Sequence, residues 1–90
     1  MATLERTTIL KIAEGVKARE ESFGLLVVSK TAPAMSLNLD SKFVWELING
    51  QNTIAEIHEA VSKKYTSDKI EENVNKILEG FLKLGLVSEM

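Results

Sequence analysis

The sequence predicts an α+β domain in which a three-stranded antiparallel sheet precedes three helices. Three observations carry that expectation. Ala34 to Leu39 alternates polar and apolar residues, as a half-buried strand does. Thr53 and Glu56 stand three apart at the head of an apolar-periodic run, the pattern of a capping box. Ile70, Val74, Ile77, Phe81 and Leu84 recur at helical spacing and are followed by Gly85.

Composition sets the bounds. Ninety residues build one small core. The chain is 44% hydrophobic and 27% charged, as ordinary globular domains are. A net charge of −2 argues against a surface built for nucleic-acid phosphates. The chain has no cysteine, which excludes disulfides, thiol catalysis and thiolate metal sites, and is in keeping with a cytoplasmic home. No apolar run reaches the roughly 20 residues of a membrane span, and Met1 to Arg6 lacks the order of a signal peptide.

The elements follow in order. Residues 1–14 are ambiguous: Ile9, Leu10 and Ile12 fit either an N-terminal arm or an extra strand. After Gly15, Val16 to Arg19 reads as a short strand and Glu20-Glu21-Ser22 as a turn. Phe23 to Val28 is apolar on both faces, which predicts a central, well-covered strand. Pro33 marks the next turn, and Ala34 to Leu39 forms the third strand, at an edge of the meander, with Met35, Leu37 and Leu39 on one face.

The first helix is expected over Asp40 to Ile48, capped by Asn38 or Asp40, with Phe43, Val44, Leu47 and Ile48 buried and Asn49-Gly50 as its stop. Trp45 falls off that face and reads as a boundary residue or a partner-facing anchor. The second helix runs from the Thr53 cap to about Tyr65, with Ile54, Ile57 and Val61 toward the core. The third starts near Ser67 or Asp68 and ends at Leu84, after which Leu86-Val87 tucks back.

The third helix is lopsided. Lys69, Glu72, Asn73, Lys76, Glu79 and Lys83 form a polar, solvated flank. The opposite flank holds Glu71, Asn75, Leu78 and Leu82, and its two leucines either pack into the core or floor a groove. The edge strand bears on that choice. Met35 to Leu39 carries no charge and no proline, the devices that normally blunt an edge. An unblunted edge beside an apolar helix flank is what strand addition of a peptide requires. Pairing of Ile9 to Ile12 with the same edge would close it. The candidate peptide-binding residues are therefore Ala34, Met35, Ser36, Leu37, Asn38, Glu71, Asn75, Leu78 and Leu82.

Catalytic chemistry is hard to assemble from these residues. His58 is the single histidine, expected to be partly exposed and structural, and a multi-histidine metal site is impossible. The adjacent pairs Glu20-Glu21 and Glu71-Glu72 point apart on a strand or helix. The scattered glycines make no phosphate loop. No catalytic residue, cofactor or metal is assigned.

Strand pair, helix, glycine stop, Thr-capped helix and long helix together have the shape of a winged helix-turn-helix. The residues go further than the shape. Arg19-Glu20-Glu21-Ser22-Phe23-Gly24, Leu37-Asn38, Val44-Trp45-Glu46-Leu47-Ile48-Asn49-Gly50, Thr53-Ile54-Ala55-Glu56-Ile57 and Leu82-Lys83-Leu84-Gly85-Leu86-Val87, in that order, resemble the PqqD-like family. These are RiPP recognition elements, which serve pathways of ribosomally made, post-translationally modified peptides. The Arg19-Glu20-x-x-Phe23-Gly24 opening further resembles the subgroup that accompanies mycofactocin-type and other radical-SAM maturases. The resemblance implies a recognition domain over residues 15–90. It implies a non-catalytic chaperone that takes a leader peptide as an added strand, against the third helix, and presents it to a radical-SAM enzyme.

Two other functions remain open. A winged-helix regulator would bind DNA, but the third helix has no arginine and sets Asp68, Glu71, Glu72 and Glu79 against Lys69, Lys76 and Lys83. A docking subunit would bind only a protein partner, and the open edge also permits a homodimer. Neither nucleic acid nor membrane is expected as a partner.

Overall fold

A computed structural model describes residues 5–30, 33–66 and 68–90. The element order is β1 (Leu10–Ile12), β2 (Lys17–Glu21), β3 (Gly24–Val28), β4 (Met35–Leu37), α1 (Leu39–Glu46), α2 (Ile54–Lys64), α3 (Ile70–Lys83) and β5 (Val87–Glu89). Strands β2, β3 and β4 form the expected antiparallel sheet in that spatial order, and the three helices follow it.

The sheet departs from expectation in its details. β2 runs on through Glu21, because Ser22 and Phe23 alone turn the chain into β3. Glu20 is then free to reach Lys42 Nζ at 3.0 Å, which ties the hairpin to α1 and raises the lysine above its usual range. β3 is central, yet it is covered on one face only. Leu25 and Val27 are buried, Leu26 is half-buried, and Phe23 and Val28 stand exposed. The third strand stops at Leu37. Asn38 caps α1, its Oδ1 accepting the Ser41 N–H at 2.8 Å, so Leu39 opens the helix and is exposed instead of continuing the strand's apolar face.

Gly24 sets how closely β4 can approach. Its φ is +145°, and a Cβ there would overlap the Leu37 carbonyl oxygen and press on the Asn38 backbone. A glycine is therefore required where β4 leaves the sheet.

The N-terminal segment does not close the sheet. β1 pairs antiparallel with β5, with Leu10 opposite Glu89 and Ile12 opposite Val87. The residues before β1 run to the head of α2. The Ile54 N–H donates to Thr8 O at 2.9 Å and the Ala55 N–H to Arg6 O at 3.0 Å. The expected capping box supplies the rest: the Glu56 N–H donates to Thr53 Oγ1 and the Thr53 N–H to Glu56 Oε1. Four donors that a helix normally leaves open are thus satisfied.

α3 begins at Ile70, later than expected, and with no side-chain cap at Lys69; the Ser67 start lies outside the described residues. The stops at Gly50 and Gly85 take φ of +76° and +74°. The core joins Leu10, Leu25, Val27 and Leu37 to Val44, Ile57, Val74, Leu78, Phe81 and Val87. Trp45, expected at the boundary, is buried edge-on against Phe81 with ring centroids 5.1 Å apart. The short α1 is covered by α3 on the side where Trp45 points, which its own sequence does not reveal. Leu84, expected in the core stripe, caps α3 and is exposed. No described helix is long and apolar enough to cross a membrane.

Two glycines test the packing. Gly24→Ala should lower stability by about 1–3 kcal/mol, because β4 must shift to admit the methyl group. Gly80→Ala, inside α3 where a Cβ meets nothing within 4 Å, should raise it by roughly 0.5–1 kcal/mol. Urea denaturation of both variants measures the two shifts.

Candidate functional site

β4 is the edge of the three-stranded sheet, with no further strand beside it among the described residues. Its register with β3 sets Leu37 opposite Leu25, Ser36 opposite Leu26 and Met35 opposite Val27. The Leu37 carbonyl lies against Gly24, so it points into the sheet. Main-chain groups of successive strand residues point to opposite edges. Met35 and Leu37 therefore bond inward, and Ser36 offers its N–H and C=O to the free edge. The side chains follow the same alternation: Leu37 is buried, Met35 half-buried and Ser36 exposed.

The two edges of this sheet differ in chemistry. β2 reads Lys-Ala-Arg-Glu-Glu, four charges in five residues, and is blunted against pairing. β4 reads Met-Ser-Leu and carries none.

A cavity of 270 Å³ lies between the helices where β4 ends. Asp40 and Val44 of α1, Val61 and Tyr65 at the end of α2, and Ile70, Asn73, Val74 and Ile77 of α3 line it. Tyr65 and Asp40 meet on its lining. The Asp40 carboxylate, accepting from the phenol and adding its charge, holds the hydroxyl above the usual tyrosine range, with burial helping. Phe43 meets Tyr65 edge-on at 6.0 Å, and Lys64 Nζ lies 4.2 Å from the Phe43 ring centre. Asp40 makes no ion pair among the described residues.

The expected helix flank lies elsewhere. Glu71 and Asn75 meet the N-terminal segment and α2, and none of Glu71, Asn75, Leu78 and Leu82 lines this cavity. Glu71 Oε1 pairs with Arg6 Nη1 at 3.2 Å. Asn75 Oδ1 accepts from His58 Nε2 at 2.8 Å. His58 is 5% exposed, more deeply buried than expected, and its Nδ1 lies 4.0 Å from Glu71 Oε1 without a hydrogen bond. Leu78 is fully buried, which rules out its flooring an open groove, and Leu82 is half-buried against the core. The flank that borders the cavity holds Ile70, Asn73 and Ile77. Asn73 was expected on a wholly solvated face, and Asp40 and Tyr65 were not expected in a site at all. The cavity thus brings together Asp40, Tyr65, Ile70, Asn73 and Ile77, and Asp40 lies three residues past the end of β4. Ala34 is exposed just before β4.

Comparison with known proteins gives two matches. The family model described as coenzyme PQQ synthesis protein D (PqqD) matches residues 25–87. A solved structure, TbiB1 in complex with the TbiA(beta) leader peptide, superposes with a TM-score of 0.78 over 87% of this chain and 94% of that one, at 18% identity. That likeness is one of fold. No curated protein matches the chain.

Leu78→Ala should cost about 2–5 kcal/mol as a buried truncation. Leu82→Ala should cost less than half as much, and denaturant midpoints compare the two. Tyr65 is the one tyrosine, so its ionisation can be followed directly by ultraviolet absorbance. A phenol raised in the folded state adds stability at pH values below 10.0, and that stability is lost as pH climbs through the higher folded value. The titration midpoint should lie above 10.0 in the native protein and return toward it in Asp40→Asn.

Proposed function

The chain belongs to the PqqD family, and we propose that it binds the leader of a ribosomally made precursor peptide by strand addition to β4. It acts in the cytoplasm, where such peptides are made, and presents the bound leader to a radical-SAM maturation enzyme. It performs no chemistry of its own. The observation that carries this reading is the uncharged, unpaired edge of β4, with Ser36 turned outward, in a sheet whose other edge is blunted by charge. The cavity at the end of β4 gives a side chain of the added strand somewhere to go. Of the residues expected from sequence, Met35, Ser36, Leu37 and Asn38 are retained as the pairing strand, with Ala34 as its approach. The α3 contribution moves to Ile70, Asn73 and Ile77. The same outward groups permit pairing with a second copy, which would compete with the peptide.

A proline scan of the edge tests the proposal. Proline is tolerated on an edge strand where its missing N–H would face solvent. Ser36→Pro should therefore leave the fold intact while removing the outward donor. Titration with the precursor peptide encoded beside the gene should shift the amide resonances of residues 35–38 in the native protein. Ser36→Pro should weaken that binding about tenfold or more, through the lost bond and the ring's obstruction of the edge. Unchanged affinity in Ser36→Pro would sink strand addition at this edge. Leu37→Pro is the contrasting variant, since its N–H serves β3 and its loss should unfold the sheet.

A further inference from the structure

We propose that the cavity beside β4 reads a cationic side chain, lysine or arginine, on the bound peptide, and that Asp40 is the residue that reads it. This rests on the strand-addition reading and names the chemistry that it leaves open. The walls of the cavity are apolar: Val44, Ile70 and Ile77. Its one charged lining residue is anionic. Asp40 brings a carboxylate, and Thr66 and Asn73 bring a hydroxyl and an amide that can each accept as well as donate. A carboxylate has about four acceptor positions, more than the nearby Tyr65 hydroxyl can fill. Among the described residues no cation pairs with Asp40: Lys42 is engaged by Glu20 at 3.0 Å, and Lys64 Nζ lies over the rings of Phe43 and Tyr65.

An unpaired carboxylate at the mouth of an apolar cavity suits one class of side chain. Lysine and arginine have a long apolar stem and a charged head, and they settle where the stem is covered and the head is paired. An acidic side chain would be repelled by Asp40, and a purely aliphatic one would leave the carboxylate as it was. Position agrees with chemistry. A residue paired opposite Ser36 directs its side chain to the outer face, so its neighbours turn inward with Met35 and Leu37. Asp40 lies three residues past Leu37, so the inward neighbour at that end of β4 is the one that meets the cavity.

Selection from a displayed library of random twelve-residue peptides tests this without knowledge of the natural precursor. The native domain, Asp40→Asn and Ser36→Pro are used as parallel baits. Asp40→Asn keeps the side chain's size, and its fold is checked by circular dichroism. The native domain should enrich peptides with lysine or arginine at one fixed position. Asp40→Asn should still enrich binders but lose the basic preference. In a selected peptide, replacing that lysine by norleucine should weaken binding to the native domain about tenfold and to Asp40→Asn hardly at all. Binders that are lost with Ser36→Pro but show no basic position, or a preference that survives Asp40→Asn, would overturn the inference while leaving strand addition standing. Binders indifferent to Ser36→Pro, or no binders at all, would overturn both.

Discussion

The junction at Asn38 is the constraint on which the geometry of the β4 edge depends. One residue ends β4, lies over Gly24, and caps α1 by accepting the Ser41 N–H. Its own carbonyl takes the Lys42 N–H at 2.8 Å. With strand and helix joined so tightly, α1 has to start beside the sheet and to place Asp40 at the strand's end. That proximity sets Asp40, which lines the cavity, three residues past the end of β4. A longer connection would separate them. Gly24 is part of the same constraint, because only a residue without a Cβ lets the Leu37 carbonyl come down onto β3. The outward direction of Ser36 then follows from the inward direction of Leu37.

A second consequence concerns α2. The exposed N–H groups of a helix N-terminus are what usually make it an anion site. Here Thr53 and Glu56 close two of them, and the carbonyls of Arg6 and Thr8 close two more. The head of α2 therefore has little to offer a phosphate. α3 carries glutamates at 71, 72 and 79. A winged-helix shape needs cationic or open donor groups at these places to hold a nucleic-acid backbone. In this chain the α2 donors are closed, and α3 sets those glutamates beside Lys76 and Lys83.

What was legible in the sequence was local. The Thr53–Glu56 box, the Asn38 cap and the glycine stops are each decided within four residues, and each was readable. The pairing of Leu10 with Glu89 joins the two ends of the chain, and no short pattern encodes it. The faces of Phe23 to Val28 were misread because an apolar run does not say which side is covered. The flank of α3 was misread for a related reason. Helical spacing points toward the core, but it does not say which neighbour stands on each shoulder. Leu78 is covered by the core, and Asn75 is held by His58 of α2, so the apolar shoulder was an interior one. The flank that looked merely polar contributes Asn73 to the cavity.

The shortness of β4 limits what main-chain pairing alone can achieve. Of its three residues only Ser36 turns its main chain outward, and by the same alternation Ala34 and Asn38 flank it. The Asn38 carbonyl is already committed to α1. Each added main-chain bond contributes about 1 kcal/mol net, whereas micromolar binding needs about 8 kcal/mol. A handful of such bonds falls short, even before the cost of ordering an extended peptide is counted. The edge can therefore set the direction and register of a bound segment but cannot by itself hold it. The same shortfall protects the edge from pairing indiscriminately with other strands, which a longer uncharged strand would invite. For the proposed strand addition, affinity would have to come from side chains that turn inward beside Met35 and Leu37, toward the cavity that α1 and α3 line. On the proposed reading the strand supplies geometry and the helices supply selectivity.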